Sequence, residues 1–186
     1  MDSFMNLENG AYIMPLSQEL GHRHWTLHSD STKWIERYLN HPRLDRVFGT
    51  VFSSVFVKPH FPEHPDAIRL LNLASDKGPE YRANILDHVL NLPGWAKVPG
   101  GGELLERLIL SQGEEPALSA LTLLAREDWA GNPIAVRIID SLIDRGIDVK
   151  YLGIYLLHEK HWALHPEGGR ILTRLINTKD LDRISF

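Results

Sequence analysis

Ten histidines in a chain of 186 residues are the side chains best suited to chemistry at neutral pH, as metal ligands or as acid and base. Eight of them gather in three places: His22, His24 and His28; His60 and His64; and His158, His161 and His165. In the stretch HEKH at 158–161 the histidines stand three apart. A zinc protease helix needs them four apart, with a glutamate between them as base. His158 and His161 can share a helix face with His165 in the following turn, but no carboxylate at ligand spacing completes a set. The clusters therefore read as structural or surface histidines, with no metal and no cofactor expected. A metal-dependent hydrolase built on them is kept as the rival reading.

Other candidate chemistry is thinner. Gly100, Gly101 and Gly102 follow Pro99, and a glycine-rich turn opening a helix can cradle phosphate. No Lys-Ser/Thr pair follows, so a locally frayed first turn is the expectation. No serine sits in a Gly-x-Ser-x-Gly elbow, and the acid pairs Glu114-Glu115 and Glu127-Asp128 fall at helix edges. No catalytic residue emerges. Cysteine is absent, which removes disulfides, thiolate metal sites and thiol nucleophiles together. The 20 basic and 24 acidic residues leave a net charge of −4, and no Lys/Arg run marks a phosphate-binding strip, so nucleic acid is not an expected partner. The start, MDSFMNLENGAYIMPLSQEL, reads as neither signal peptide nor anchor. No stretch reaches the 18 or so apolar residues a membrane helix needs, and a cytoplasmic location is expected.

The elements that must position these residues recur at a fixed interval. WAKVPGGGELLERLI, WAGNPIAVRIIDSLI and WALHPEGGRILTRLI start at Trp95, Trp129 and Trp162, each with proline four residues after the aromatic. Phe61 with Pro65 fits the frame, as does Trp25 with Ser29 in proline's place, so the anchors lie 36, 34, 34 and 33 residues apart. Counted from Pro or Ser, offsets +5, +6, +9 and +10 are Trp34, Ile35, Tyr38, Leu39; Leu70, Leu71, Ala74, Ser75; Leu104, Leu105, Leu108, Ile109; Ile138, Ile139, Leu142, Ile143; and Ile171, Leu172, Leu175, Ile176. That spacing fills one helix face. Offsets +4, +7 and +8 carry polar residues such as Glu36, Arg37, Glu106, Arg107, Arg137, Asp140, Arg170 and Arg174, predicting a solvated opposite face. Proline suits the first turn of each helix, and Ser29 is expected to act as an N-cap.

A second apolar helix precedes each next anchor, as in Phe52, Val55, Phe56 and Ile85, Leu86, Val89, Leu90. Gly78, Gly113 and Gly146 fall between the two helices of their units. The expected fold class is all-α, an α-solenoid of about five tandem helix pairs. Residues 1–24 form an N-terminal extension or cap, and residues 25–186 form one helical-repeat domain with units at about 25–60, 61–94, 95–128, 129–161 and 162–186. A lone pair cannot bury its apolar face, so neighbours must share a core, with the aromatic filling each junction.

Over residues 25–186 the pattern resembles the α-solenoid class of HEAT, armadillo and tetratricopeptide repeats. Isoleucine stands ten residues after Pro99, Pro133 and Pro166, where tetratricopeptide helices carry small residues, and the TPLH signature of ankyrin repeats is absent, which leaves HEAT-like as the nearest description. The resemblance implies a recognition scaffold presenting an extended face to proteins or peptides. On the second helices, the positions expected to point outward are polar in the first two units (Ser53, Thr50, Asn91, Asp87, Asn84). They turn apolar or aromatic in the third and fourth: Leu118, Leu121, Tyr151 and Ile154, with Tyr155 and His158 beside them. An apolar outward patch is either covered within the protein, by neighbouring helices or by residues 1–24, or marks an interaction site. The expectation is a non-enzymatic protein-binding module, an adaptor or inhibitor, in a bacterial setting a toxin-neutralising immunity protein, that uses those six residues. A structural subunit of a larger assembly is the third alternative, and a homo-oligomer is left open.

Overall fold

The computed structural model describes residues 18–41, 48–49, 52–111, 117–146 and 159–177, without the side chains of 117–119. Among these residues the chain is all-α, with no strand, and no helix is long and apolar enough to cross a membrane. It divides into two compact units, Met1–Leu92 and Pro93–Phe186.

In the first unit, a single turn α1 (Arg23–Thr26) leads to α2 (Ser31–Leu39). A π-helical turn at Phe52–Phe56 and a 3-10 turn at Phe61–Glu63 then precede α3 (Ala67–Ser75). α4 (Pro79–Asn84) follows and runs on as a π-helix through Ile85–Val89. α2 packs on α3, and α3 on α4. The core is Trp34, Ile35, Tyr38 and Leu39 from α2, Leu70, Leu71 and Ala74 from α3, and the predicted second-helix set Phe52, Val55, Phe56, Ile85, Leu86, Val89 and Leu90, all buried. Val51 and Thr50 lie outside the described residues.

In the second unit, a 3-10 turn at Trp95–Lys97 precedes α5 (Gly101–Leu110), followed by α6 (Ala117–Leu124). A single turn α7 (Glu127–Ala130) leads to α8 (Pro133–Asp144), and another, α9 (Lys160–Ala163), leads to α10 (Gly168–Asn177). α8 packs on both α5 and α10. α8 ends on Gly146 at φ 71°, the left-handed conformation that glycine adopts without a Cβ penalty. Gly113 lies outside the described residues.

The first long helix of each repeat buries the face the spacing predicts, with one informative exception. Offsets +5, +6, +9 and +10 are buried on α2, α3, α5 and α8. On α10, Ile171 and Leu175 are buried, while Leu172 and Ile176 are 43% and 53% exposed. The buried pair and the exposed pair lie on adjacent strips of one helix, so among the described residues the apolar face of α10 is covered on one side only.

Two local expectations are corrected. Pro65, Pro99 and Pro166 stand in the turn two residues ahead of α3, α5 and α10, and only Pro133 occupies the first helical position. Ser29 does not cap α2: the helix starts at Ser31, and the acceptor that meets the Asp30 N–H is the Nδ1 of His28, at 3.1 Å.

Candidate functional site

The histidines and the anchors belong to one structural unit, a turn repeated five times. Each begins at the aromatic, whose carbonyl accepts from the N–H three residues on: His28 to Trp25 (3.1 Å), His64 to Phe61 (2.9 Å), Val98 to Trp95 (3.1 Å), Asn132 to Trp129 (2.9 Å) and His165 to Trp162 (3.2 Å). The carbonyl of that third residue in turn accepts from the sixth, so that Ser31, Ala67, Gly101, Ala135 and Gly168 bond back over 2.8–3.0 Å. This sixth residue is small and buried in every copy. In two copies the opening helix passes close to the anchor's own backbone: a Cβ added at Gly101 or Gly168 would lie 2.3 Å from the carbonyl oxygen of Trp95 or Trp162.

At the third position the side chain meets the opening of the coming helix. Nδ1 of His28, His64 and His165 accepts from the N–H of Asp30, Asp66 and Glu167 at 3.1, 3.0 and 3.1 Å, and the Asn132 side-chain oxygen accepts from Ile134 at 3.0 Å. Asn132 thereby caps α8, while the three imidazoles meet the N–H of the residue just ahead of α2, α3 and α10, a donor that also lacks an intrahelical partner. Three of these imidazoles also lie against their anchor ring, with centroids 5.3 Å apart for Trp25 and His28, 5.6 Å for Phe61 and His64, and 4.8 Å for Trp162 and His165. Val98 offers no acceptor, and there Gly100 turns to φ 83° instead. The glycine run is thus a packed corner and not a frayed turn: Gly101 and Gly102 are buried, and a Cβ on Gly102 would come within 2.6 Å of Ile134.

Two histidines reach beyond their own turn. His64, 3% exposed, places Nε2 2.8 Å from Ser31 Oγ, and His60 Nε2 stands 3.1 Å from Thr26 Oγ1. Burial is the leading influence on both and holds each imidazole below its ordinary pKa. In the second unit the corresponding reach is made by an amide, an indole and an imidazole. Asn132 Nδ2 donates to the Ala96 carbonyl at 2.9 Å, Trp162 Nε1 donates to Leu124 at 2.7 Å, and His161 Nε2 meets the Ala125 carbonyl at 2.6 Å.

The solvated faces carry ion pairs between successive long helices. Glu36 pairs with Arg69, and Thr32 Oγ1 donates to Asp66 at 2.6 Å. Glu106 takes Arg137, and Asp140 takes Arg170 at 2.9 Å together with Arg174, which also reaches Asp144. The Thr32 hydroxyl, then Arg69, lowers the Asp66 pKa, and the Arg170 and Arg174 guanidinium groups lower that of Asp140 against the opposing effect of its burial.

Of the six residues assigned to a partner face, Tyr151, Ile154, Tyr155 and His158 lie outside the described residues, as does the side chain of Leu118. Leu121 is wholly buried. α6 is apolar nearly all round, ALSALTLL, and a helix of that kind is enclosed rather than half exposed; Thr122 is its exposed residue. No group of three or more His, Asp or Glu side chains among the described residues is arranged to hold a metal ion. The capping role was missed from sequence, although its signal was present: His28, His64, Asn132 and His165 stand at one offset from the aromatic.

These turns and helices define the class as an all-α protein. Compared with known families, curated proteins and solved structures, the chain matches none.

Proposed function

We propose that this chain is a non-enzymatic protein-binding module, an α-solenoid of about five helix pairs of roughly 34 residues stacked through their aromatic turns. The observation that carries the reading is the turn itself. The same aromatic, the same two backbone hydrogen bonds and the same small sixth residue occur at Trp25, Phe61, Trp95, Trp129 and Trp162. The lone pairs that a metal would need on His28, His64 and His165 are already engaged by backbone N–H groups, which weighs against the hydrolase reading.

The partner, taken as an adaptor's client or, in a bacterial setting, a toxin neutralised by an immunity protein, binds the second-helix face of the third and fourth repeats, around Leu118, Tyr151, Ile154, Tyr155 and His158. Leu121 lies beneath that face as core. Affinity capture on the purified full chain tests this. Wild type is expected to retain one partner that a Tyr151→Asp, Tyr155→Asp double variant loses at unchanged helicity by circular dichroism. Undiminished capture by the variant counts against the face, and the absence of any partner counts against the module. A second reading, a structural subunit, is favoured by the apolar edge of Leu164, 75% exposed, with Leu172 and Ile176. Light scattering that finds a monomer at all concentrations rejects it.

A further inference from the structure

Buried His64 and half-buried His60 of the first unit have hydrogen positions set by their neighbours. The Ser31 hydroxyl donates to the His28 carbonyl at 2.6 Å, so its oxygen is left to accept, and His64 Nε2 at 2.8 Å must carry the hydrogen. Nδ1 of His64 is then bare and accepts from the Asp66 N–H at 3.0 Å. The Thr26 hydroxyl likewise donates to the Leu20 carbonyl at 2.7 Å and accepts from His60 Nε2 at 3.1 Å. The His64 ring is therefore neutral in the Nε2–H form, while for His60 only the hydrogen on Nε2 is set. A proton arriving at His64 Nδ1 meets an N–H already pointing at it, so taking it up breaks the cap.

We propose that His64 is an acid-released latch on the opening of α3, its Nδ1 holding the Asp66 N–H while the ring is neutral and losing that bond when the ring is protonated, with the Nε2–H bond to Ser31 left in place.

The charged groups around each ring do not compensate fully. His64 faces the Asp66 carboxylate, which favours the cation, and Arg69, which opposes it. Asp66 is itself engaged by Thr32 and Arg69, and Arg69 by Glu36. His60 faces Glu63 and the Gly21 backbone, which favour the cation, against Arg23 and Lys58, and Glu63 is already paired with Arg23 at 2.7 Å. Burial outweighs these influences for both rings. A folded value below the ordinary one, about 6.5, means that the open state binds more protons. The latch is thus at full strength above that pH and weakens as pH falls through it toward the lower folded values. Each pH unit of separation multiplies the opening constant about tenfold.

The molecule contains its own control, since Asn132 caps Ile134 in the second unit as His64 caps Asp66, without a titrating group. Hydrogen exchange of the full chain from pH 7.5 to pH 5, corrected for intrinsic rates, is expected to show protection at the Asp66 amide falling about tenfold or more, with Ile134 unchanged. Nitrogen-15 NMR of the imidazoles at pH 7.5 is expected to find His64 neutral with the hydrogen on Nε2. His64→Asn, which copies the cap found at Asn132, is expected to make Asp66 follow Ile134. Parallel pH courses for the two amides in wild type, an Nδ1–H tautomer at His64, or an undiminished Asp66 response in His64→Asn each overturn the latch. If His64→Asn does not fold, the wild-type amides and imidazole signals decide alone.

Discussion

Between the Trp25 and Phe61 turns, the first unit is joined side chain to side chain: two hydroxyls receive hydrogen bonds from two imidazoles, His64 buried and His60 half-buried. Between the Trp95, Trp129 and Trp162 turns, the second unit is joined by side chains that reach backbone carbonyls, and by a denser set of arginine–carboxylate pairs on α8 and α10. The aromatic turn is common to both; only the cross-link between turns differs. A conserved geometry can therefore be fastened by groups with quite different responses to pH and salt, and each unit's sensitivity follows from which fastener it uses.

The shared element sets the largest expected effect. Phe61→Ala in the first unit and Trp129→Ala in the second should each cost about 3 to 5 kcal/mol, the range for deleting a buried large aromatic, read as denaturant midpoints at constant slope. A loss confined to one unit would end the equivalence of the turns. Trp162→Phe and Trp129→Phe sharpen it. Trp162 donates to Leu124, so its replacement strands a buried carbonyl at a cost of about 1 to 3 kcal/mol. The Trp129 Nε1–H finds no acceptor among the described residues, and Trp129→Phe is expected to cost less than Trp162→Phe.

Next in size are the caps. Asn132→Ala removes the acceptor for Ile134 and the bond to Ala96 and should cost about 0.5 to 2 kcal/mol at any pH. His64→Ala removes an acceptor and a donor from a more deeply buried place, and its cost relative to wild type should shrink as pH is lowered from 7.5 to 5, because acid has already weakened the wild-type cap. Equal pH dependence of the two costs would erase the distinction between the units.

How much of this was legible depended on which forces leave a periodic trace. The buried faces were readable because helix geometry imposes the spacing of Leu104, Leu105, Leu108 and Ile109 regardless of what covers them. The caps were not, because counting began at the proline, and an imidazole acts as an acceptor only in one tautomer, which neighbouring hydroxyls decide. His28, His64 and His165 therefore looked like metal-ligand candidates. The small sixth residue was masked by its variety, serine, alanine or glycine; at Gly101 and Gly168 a close approach to the anchor backbone leaves no room for a Cβ. Leu121 was placed outward by analogy with Ser53 and Asp87, whereas α6 carries apolar residues on both sides and is enclosed.

The smallest expected effect concerns the carboxylates. Asp140 is held below the ordinary carboxylate pKa by its hydrogen bond to Arg170 in first place, so the folded state binds the proton less readily than the unfolded one. Its contribution is present above about pH 4 and lost as pH falls toward the lower folded value. Asp140→Asn should remove it at neutral pH while leaving shape and volume unchanged. Because the arginines are solvent-facing, the loss should be smaller than that of Asn132→Ala, and smaller again in 1 M salt, where screening acts over about 3 Å. The same salt jump should leave the Asn132→Ala cost untouched, since a neutral amide meeting a backbone N–H has little charge to screen. If salt moves both costs equally, the ion pairs on α8 and α10 are not what distinguishes the second unit, and its fastening rests on Asn132 and Trp162 alone.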